Sequence, residues 1–161
     1  MSTKKSIDTL NIFIKINNNR FESYILASKQ INEYDLTTLF VGFQEKSKQY
    51  KAELVSEIQK LGGKPATESP IILLISKFWM ELRSKFKIKD REDILNRCEY
   101  DADVTLKKYT KVLNNNIDYL SPKHQNIIKA QHQSIKKDHD TLKGLGDLLV
   151  TCRRFNLNTQ T

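Results

Sequence analysis

Apolar side chains recur along this chain at alternating intervals of three and four, the spacing that lines up one face of an α-helix. From Ile7, the stripe Leu10, Ile14, Asn17, Phe21, Tyr24, Ser28 and Ile31 predicts a first long helix. Asn32-Glu33-Tyr34 interrupts it, and Asp35 is placed to cap a second helix by accepting from first-turn N–H groups. The second stripe is Leu36, Leu39 or Phe40, Phe43, Ser47, Tyr50, Leu54, Ile58 and Leu61. Gly62-Gly63 then offers a left-handed stop, and Pro65 blocks continuation. Asp90 precedes a third stripe of Ile94 or Leu95, Cys98, Ala102, Leu106, Tyr109 and Leu113, which Asn114-Asn115-Asn116 ends. Ser121-Pro122 starts a fourth helix: Ser caps free N–H groups, and Pro fills a first-turn position where its missing donor costs little. Ile128, Ile135, Leu142 and Leu149 then recur every seven residues, with Gln131, Asp138 and Leu145 between them. The tail from Arg153 to Thr161 is expected to fray.

Short connections make the first and second helices antiparallel neighbours, and likewise the third and fourth. The longer stretch from Gly63 to Asp90 leaves room for a crossing segment, and Ile71 to Phe86, with Trp79, predicts a short extra helix there. The fold class is therefore all-α: an antiparallel four-helix bundle forming a single domain over residues 1–161, with its core at about 7–149 and a tail at 150–161. Amphipathic stripes need one another, because helix propensity contributes little compared with tertiary packing.

Composition agrees with this picture and narrows the functions. The chain is 39% hydrophobic and 29% charged with 5 Gly and 3 Pro, which excludes collagenous and disordered classes. Its longest unbroken apolar run is Ile71–Ile75, far short of the roughly 20 residues that span a bilayer. No transmembrane segment is expected. Polar residues after Lys4-Lys5 break any signal-peptide core, so the expected location is cytoplasmic. The net charge of +8 permits nonspecific attraction to nucleic acid, but basic residues are interleaved with acids, as on a solvated helical face. Cys98 and Cys152 show no CxxC spacing and are expected to be free thiols.

Candidate chemistry lies in the polar residues on the inward stripes. Asn17, Ser47, Tyr50, Gln131 and Asp138 interrupt apolar runs, and His132 and His139 lie seven residues apart on one side of the fourth helix. Buried polar groups must be hydrogen-bonded, and buried charges paired or metal-bound. One reading is thus a satisfied network of Asn17, Tyr24, Tyr50, Gln131, His132 and Asp138 with no cofactor. The other is a transition-metal site built from Glu53, Glu99, Asp103 and His139, whose oxygen and nitrogen donors suit iron, manganese or zinc. His124, in the first turn of its helix, is expected to face solvent. No serine or cysteine is accompanied by an oriented base, and no glycine loop cradles phosphate.

Leu61-Gly62-Gly63-x-Pro65, Phe78-Trp79-Met80-Glu81-Leu82-x-Ser84 and Ile94-Leu95-x-x-Cys98-Glu99-x-x-x-Asp103 resemble a bacterial ferritin-like four-helix-bundle family of unknown function, over about Ile7 to Leu145. The resemblance implies a ferritin-like fold and, from the wider superfamily, a di-iron centre with Glu-x-x-His on two helices. Ser121, Lys129 and Lys136 stand three residues before the three histidines, so that motif is absent. Asn19-Arg20-Phe21-Glu22-Ser23-Tyr24 also departs from the Asp-Gly-x-x-Gly usual in the nearer relatives. Tyr24, Glu53, Glu99, Asp103 and His139 are what the resemblance carries over, as a remodelled metal site or a buried network. The leading expectation is a non-enzymatic protein acting as a homo-oligomer or through a protein partner, with a stress-related role implied by the resemblance. Metal-dependent redox or storage, and DNA association, are the alternatives.

Overall fold

The computed structural model describes residues 2–67 and 90–159. The short helix expected at Ile71 to Phe86, with Trp79, lies outside the described residues. Among them the secondary structure is all-α: α1 (Thr3–Ser28), α2 (Tyr34–Lys60), α3 (Arg91–Asn116) and α4 (Pro122–Asn158), with a 3-10 turn at Ile117–Tyr119. None of these helices is long and apolar enough to cross a membrane.

The helix ends follow from local chemistry, with one correction. Asp90 accepts from the Asp93 N–H and Ser121 from the His124 N–H, each offsetting a donor that the first turn leaves open. Asp35 does not cap α2. Glu33 occupies the cap position without a side-chain cap bond, and Asp35 lies in the first turn. There it receives two hydrogen bonds from Arg91, of 3.0 and 2.6 Å, while Arg91 also pairs with Glu33. A bidentate guanidinium–carboxylate bond outcompetes a single local N–H. At the other end of α2, Gly62 adopts φ 72°, and Gly63 N–H donates to the Ile58 carbonyl while Gly62 N–H donates to Gln59. This 6→1 and 5→2 pair closes the helix through a left-handed residue, which glycine adopts without steric cost. A Cβ on Gly63 would stand 2.7 Å from the Ile7 Cδ1, so the end of α2 and the start of α1 meet without room for a side chain.

Pairings across the fold set its layout. Asn11 of α1 bonds Lys64 and Ala66 just past α2, Arg20 reaches Ser47, and the Tyr24 carbonyl accepts from Gln44, so numbers fall along α2 as they rise along α1. Ser6 and Thr9 meet Tyr119 and Asn116 at the end of α3. Lys123 at the start of α4 meets Glu57 near the end of α2, and Arg91 at the start of α3 meets the start of α2. Among the described residues the core forms two apolar clusters. One gathers Leu10, Phe13, Ile14, Leu54, Ile58, Ile128 and Ile135; the other gathers Tyr24, Leu36, Phe40, Ile94, Leu95 and Leu142. Between them lies polar material from α1, α2 and α4. The expected fraying after Arg153 is also corrected: α4 stays helical to Asn158, although every described residue from Thr151 onward is exposed.

Candidate functional site

Two polar layers cross the interior, and both use residues that the helical stripes point inward. In the first, Asn17 of α1 donates from Nδ2 to the Tyr109 hydroxyl of α3 at 2.5 Å. Tyr109 donates in turn to Gln131 Oε1 of α4 at 3.0 Å, and Gln131 Nε2 donates to Glu53 Oε2 of α2 at 2.9 Å. This chain of hydrogen bonds therefore touches all four helices. Asn17, Tyr109 and Gln131 are buried, while Glu53 is exposed and gives the chain an end in water. Burial pushes the Tyr109 phenol well above its usual range, so it stays a neutral donor.

The second layer is ionic. Arg20 is 3% exposed; its Nη2 donates to Asp138 Oδ2 at 2.6 Å, and its Nη1 donates to the Ser47 hydroxyl at 2.9 Å. Lys46 donates to the other oxygen of Asp138 at 2.5 Å, and Ser47 donates back to the Phe43 carbonyl. Two cations therefore meet one buried carboxylate, leaving the layer with a net charge of +1. Both Asp138 oxygens are occupied, and a further cation placed there would meet like charge. The Tyr24 ring lies beside the guanidinium, 5.2 Å from ring centroid to Arg20 Cζ, and stacks on Phe40.

Near the far end of α2, Glu57 is buried and receives Lys123 on both oxygens at 2.9 Å and Lys60 at 2.7 Å. His124 stands 3.3 Å from the same carboxylate and is itself buried, which corrects the expectation that it faces solvent. The turn that Ser121 caps directs His124 towards α2. Hydrogen bonds from Lys123, then Lys60, hold the Glu57 carboxyl down to about 2. Its lowered value contributes stability that is fully present above the unfolded value of 4.5 and lost as pH falls towards 2. Wild-type unfolding free energy is expected to fall over that interval more steeply than in Glu57→Gln, measured by urea titration at a series of pH values; parallel profiles would refute the assignment.

The proposed metal ligands are dispersed. Glu99 and His139 face each other at 3.9 Å, and His139 also meets its neighbour Asp140 at 3.2 Å. Asp103 pairs with Lys107 on its own helix, and Glu53 belongs to the chain of hydrogen bonds already described. Among the described residues no group of three or more His, Cys, Asp and Glu side chains is arranged to hold a metal. Of the other expected network members, Tyr50 contributes its backbone carbonyl to Gln131, and half-buried His132 meets the Thr110 hydroxyl at 3.1 Å near the surface. Cys98 and Cys152 are free, the first buried with its thiol raised by that burial and the second exposed.

Residues 5–115 match the family model described as Domain of unknown function (DUF2383). The chain belongs to that family. No curated protein matches it. The DUF2383 match covers nearly all of α1, all of α2 and nearly all of α3, and ends before α4. Asp138 and Gln131, which complete both polar layers, thus come from the part of the chain beyond the DUF2383 match. Sequence reasoning missed Arg20, Lys46 and Glu57. The available signal for Arg20 was its place three residues after Asn17 and four before Tyr24, on the same face as both.

Proposed function

We propose that this DUF2383 protein is a non-enzymatic helical bundle of antiparallel, ferritin-like topology that works by self-association through the end of α4. The topology is supported by the meeting of the start of α2 with the start of α3 and of the end of α2 with the start of α4, the relative helix directions of ferritin-like folds. A non-catalytic role is supported by the way the interior polar groups engage one another: Asp138 is held by two cations, and Tyr109 and Gln131 spend their hydrogen bonds across the bundle.

The observation that carries self-association is the end of α4. Leu148 and Phe155 are 60% and 72% exposed, and with the exposed Cys152 they fall at i, i+4 and i+7 on one stripe. Val150 and Leu157 are exposed as well, but two and nine residues after Leu148 they lie on the opposite face of α4 and take no part in this stripe. An exposed stripe of Leu148, Cys152 and Phe155 is apolar surface that association would cover. A second copy presents the same stripe, and closed two-fold pairing of like surfaces is the commonest route to a homodimer. Light scattering of the full chain at micromolar concentration is expected to give a multiple of the monomer mass, and Leu148→Glu/Phe155→Glu is expected to give the monomer with unchanged helicity. A monomeric wild-type protein would refute the proposal.

A further inference from the structure

A second place in the molecule has the makings of a ligand site, on the groove between α1 and α2 and away from the end of α4. A cleft of about 130 Å³ opens there, lined by Asn17, Asn18, Phe21, Glu22, Ser47, Lys48 and Lys51. That is room for several waters, or for one small polyatomic ion in their place. Its inner wall is polar and incompletely satisfied. Asn17 is fully buried and Asn18 is 6% exposed, yet Asn17 Oδ1 and Asn18 Nδ2 have no hydrogen-bond partner among the described residues. Asn19 Oδ1 and Arg20 Nε on the same turn are in the same state. Unsatisfied buried polar atoms are rare in folded proteins, and a cluster of them in one helical turn marks a place where something else completes the bonding.

The charge around the cleft selects what that is. Lys48 and Lys51 stand on its rim against Glu22, and behind Ser47 lies the ionic layer with its surplus positive charge. Lys48 lies over the Phe21 ring at 5.3 Å, and its pair with Glu45 is loose at 3.3 Å, so its ammonium keeps donor capacity. Amide N–H from Asn18 and ammonium groups from two lysines are the donors that an oxyanion accepts from, while the Asn17 carbonyl oxygen accepts a hydrogen bond from a ligand hydroxyl. We propose that this cleft binds a small tetrahedral oxyanion of the phosphate class, whose protonated oxygen faces Asn17 and whose charged oxygens face Asn18, Lys48 and Lys51. Its volume is sufficient for the free ion.

Inorganic phosphate is the probe, titrated at constant ionic strength into the ¹⁵N-labelled full chain while the side-chain amide signals of Asn17 and Asn18 are followed by NMR. Saturable shifts of both signals are expected. Lys51→Gln should weaken binding and Glu22→Gln should tighten it, each by about five- to tenfold, the scale of one unit charge near water. Both substitutions are at the rim and leave the core intact, and their opposite signs separate a charge effect from a folding defect. Asn18 signals that do not move with phosphate would overturn the proposal. So would shifts of the same size in wild type and in both variants.

Discussion

Replacing Asp138 by alanine is expected to lower the unfolding free energy by about 3–5 kcal/mol, the cost of leaving a buried charge without its partner. Arg20 is 3% exposed and cannot turn to water, whereas Lys46, with its side chain 40% exposed, can. The loss therefore falls on the guanidinium, whose bond to Ser47 remains while its counter-charge goes. Chemical denaturation followed by circular dichroism measures it. The double replacement Arg20→Met/Asp138→Leu removes both charges together and is expected to recover most of that stability, because a buried pair is often no better than apolar side chains of similar volume. A double variant as unstable as Asp138→Ala would show that the pair itself holds the bundle together. A single variant within about 1 kcal/mol of wild type would mean that Asp138 is not the counter-charge of Arg20.

Tyr109 carries the second large effect. Its ring is fully buried and lies 4.9 Å from that of Phe13, and its hydroxyl joins Asn17 to Gln131. Tyr109→Phe keeps the ring and strands the Gln131 oxygen and one Asn17 hydrogen, at an expected cost of about 1–3 kcal/mol. Tyr109→Ala adds a cavity, and the total is expected to reach at least about 3–5 kcal/mol. Gln131→Leu in the Tyr109→Phe background supplies the control, since a partner that no longer needs the hydroxyl should remove part of the loss. If Tyr109→Phe matched wild type, the hydroxyl would have no part in linking the helices.

The two effects come from layers whose members were unequally visible beforehand. Asn17, Gln131 and Asp138 stood out because each replaced an apolar residue at a position where the helical period required burial. Arg20 did not, because the neighbouring Phe21 satisfied the stripe equally well and apolar identity favoured it. In the fold α1 packs against both α2 and α3, so its buried face is broader than one stripe and takes in Arg20, with Phe21 left half-buried. Glu57 and His124 were missed for a related reason. Each lies near a helix end, where the period says little about burial, and their burial depends on where the start of α4 meets the end of α2.

Period, caps and stops thus decided the four helices: Asp90 and Ser121 open two of them, Gly62 closes a third, and their apolar faces are written in intervals of three and four. These are local effects, carried by residues within a few positions of one another. Which polar side chain met which was decided only by packing. Arg20 and Asp138 lie 118 residues apart, and Gln131 and Glu53 lie 78 apart. Sequence spacing fixes the angle of each side chain about its own helix, but not the axial height at which two helices pass. The same limit dispersed the proposed metal ligands: Glu99, Asp103 and His139 had inward or edge positions on paper, and in the fold Asp103 turns to Lys107 while His139, among the described residues, meets one carboxylate from another helix. Axial alignment is set by the whole apolar core seeking close packing, so it becomes definite only when all four helices are in place.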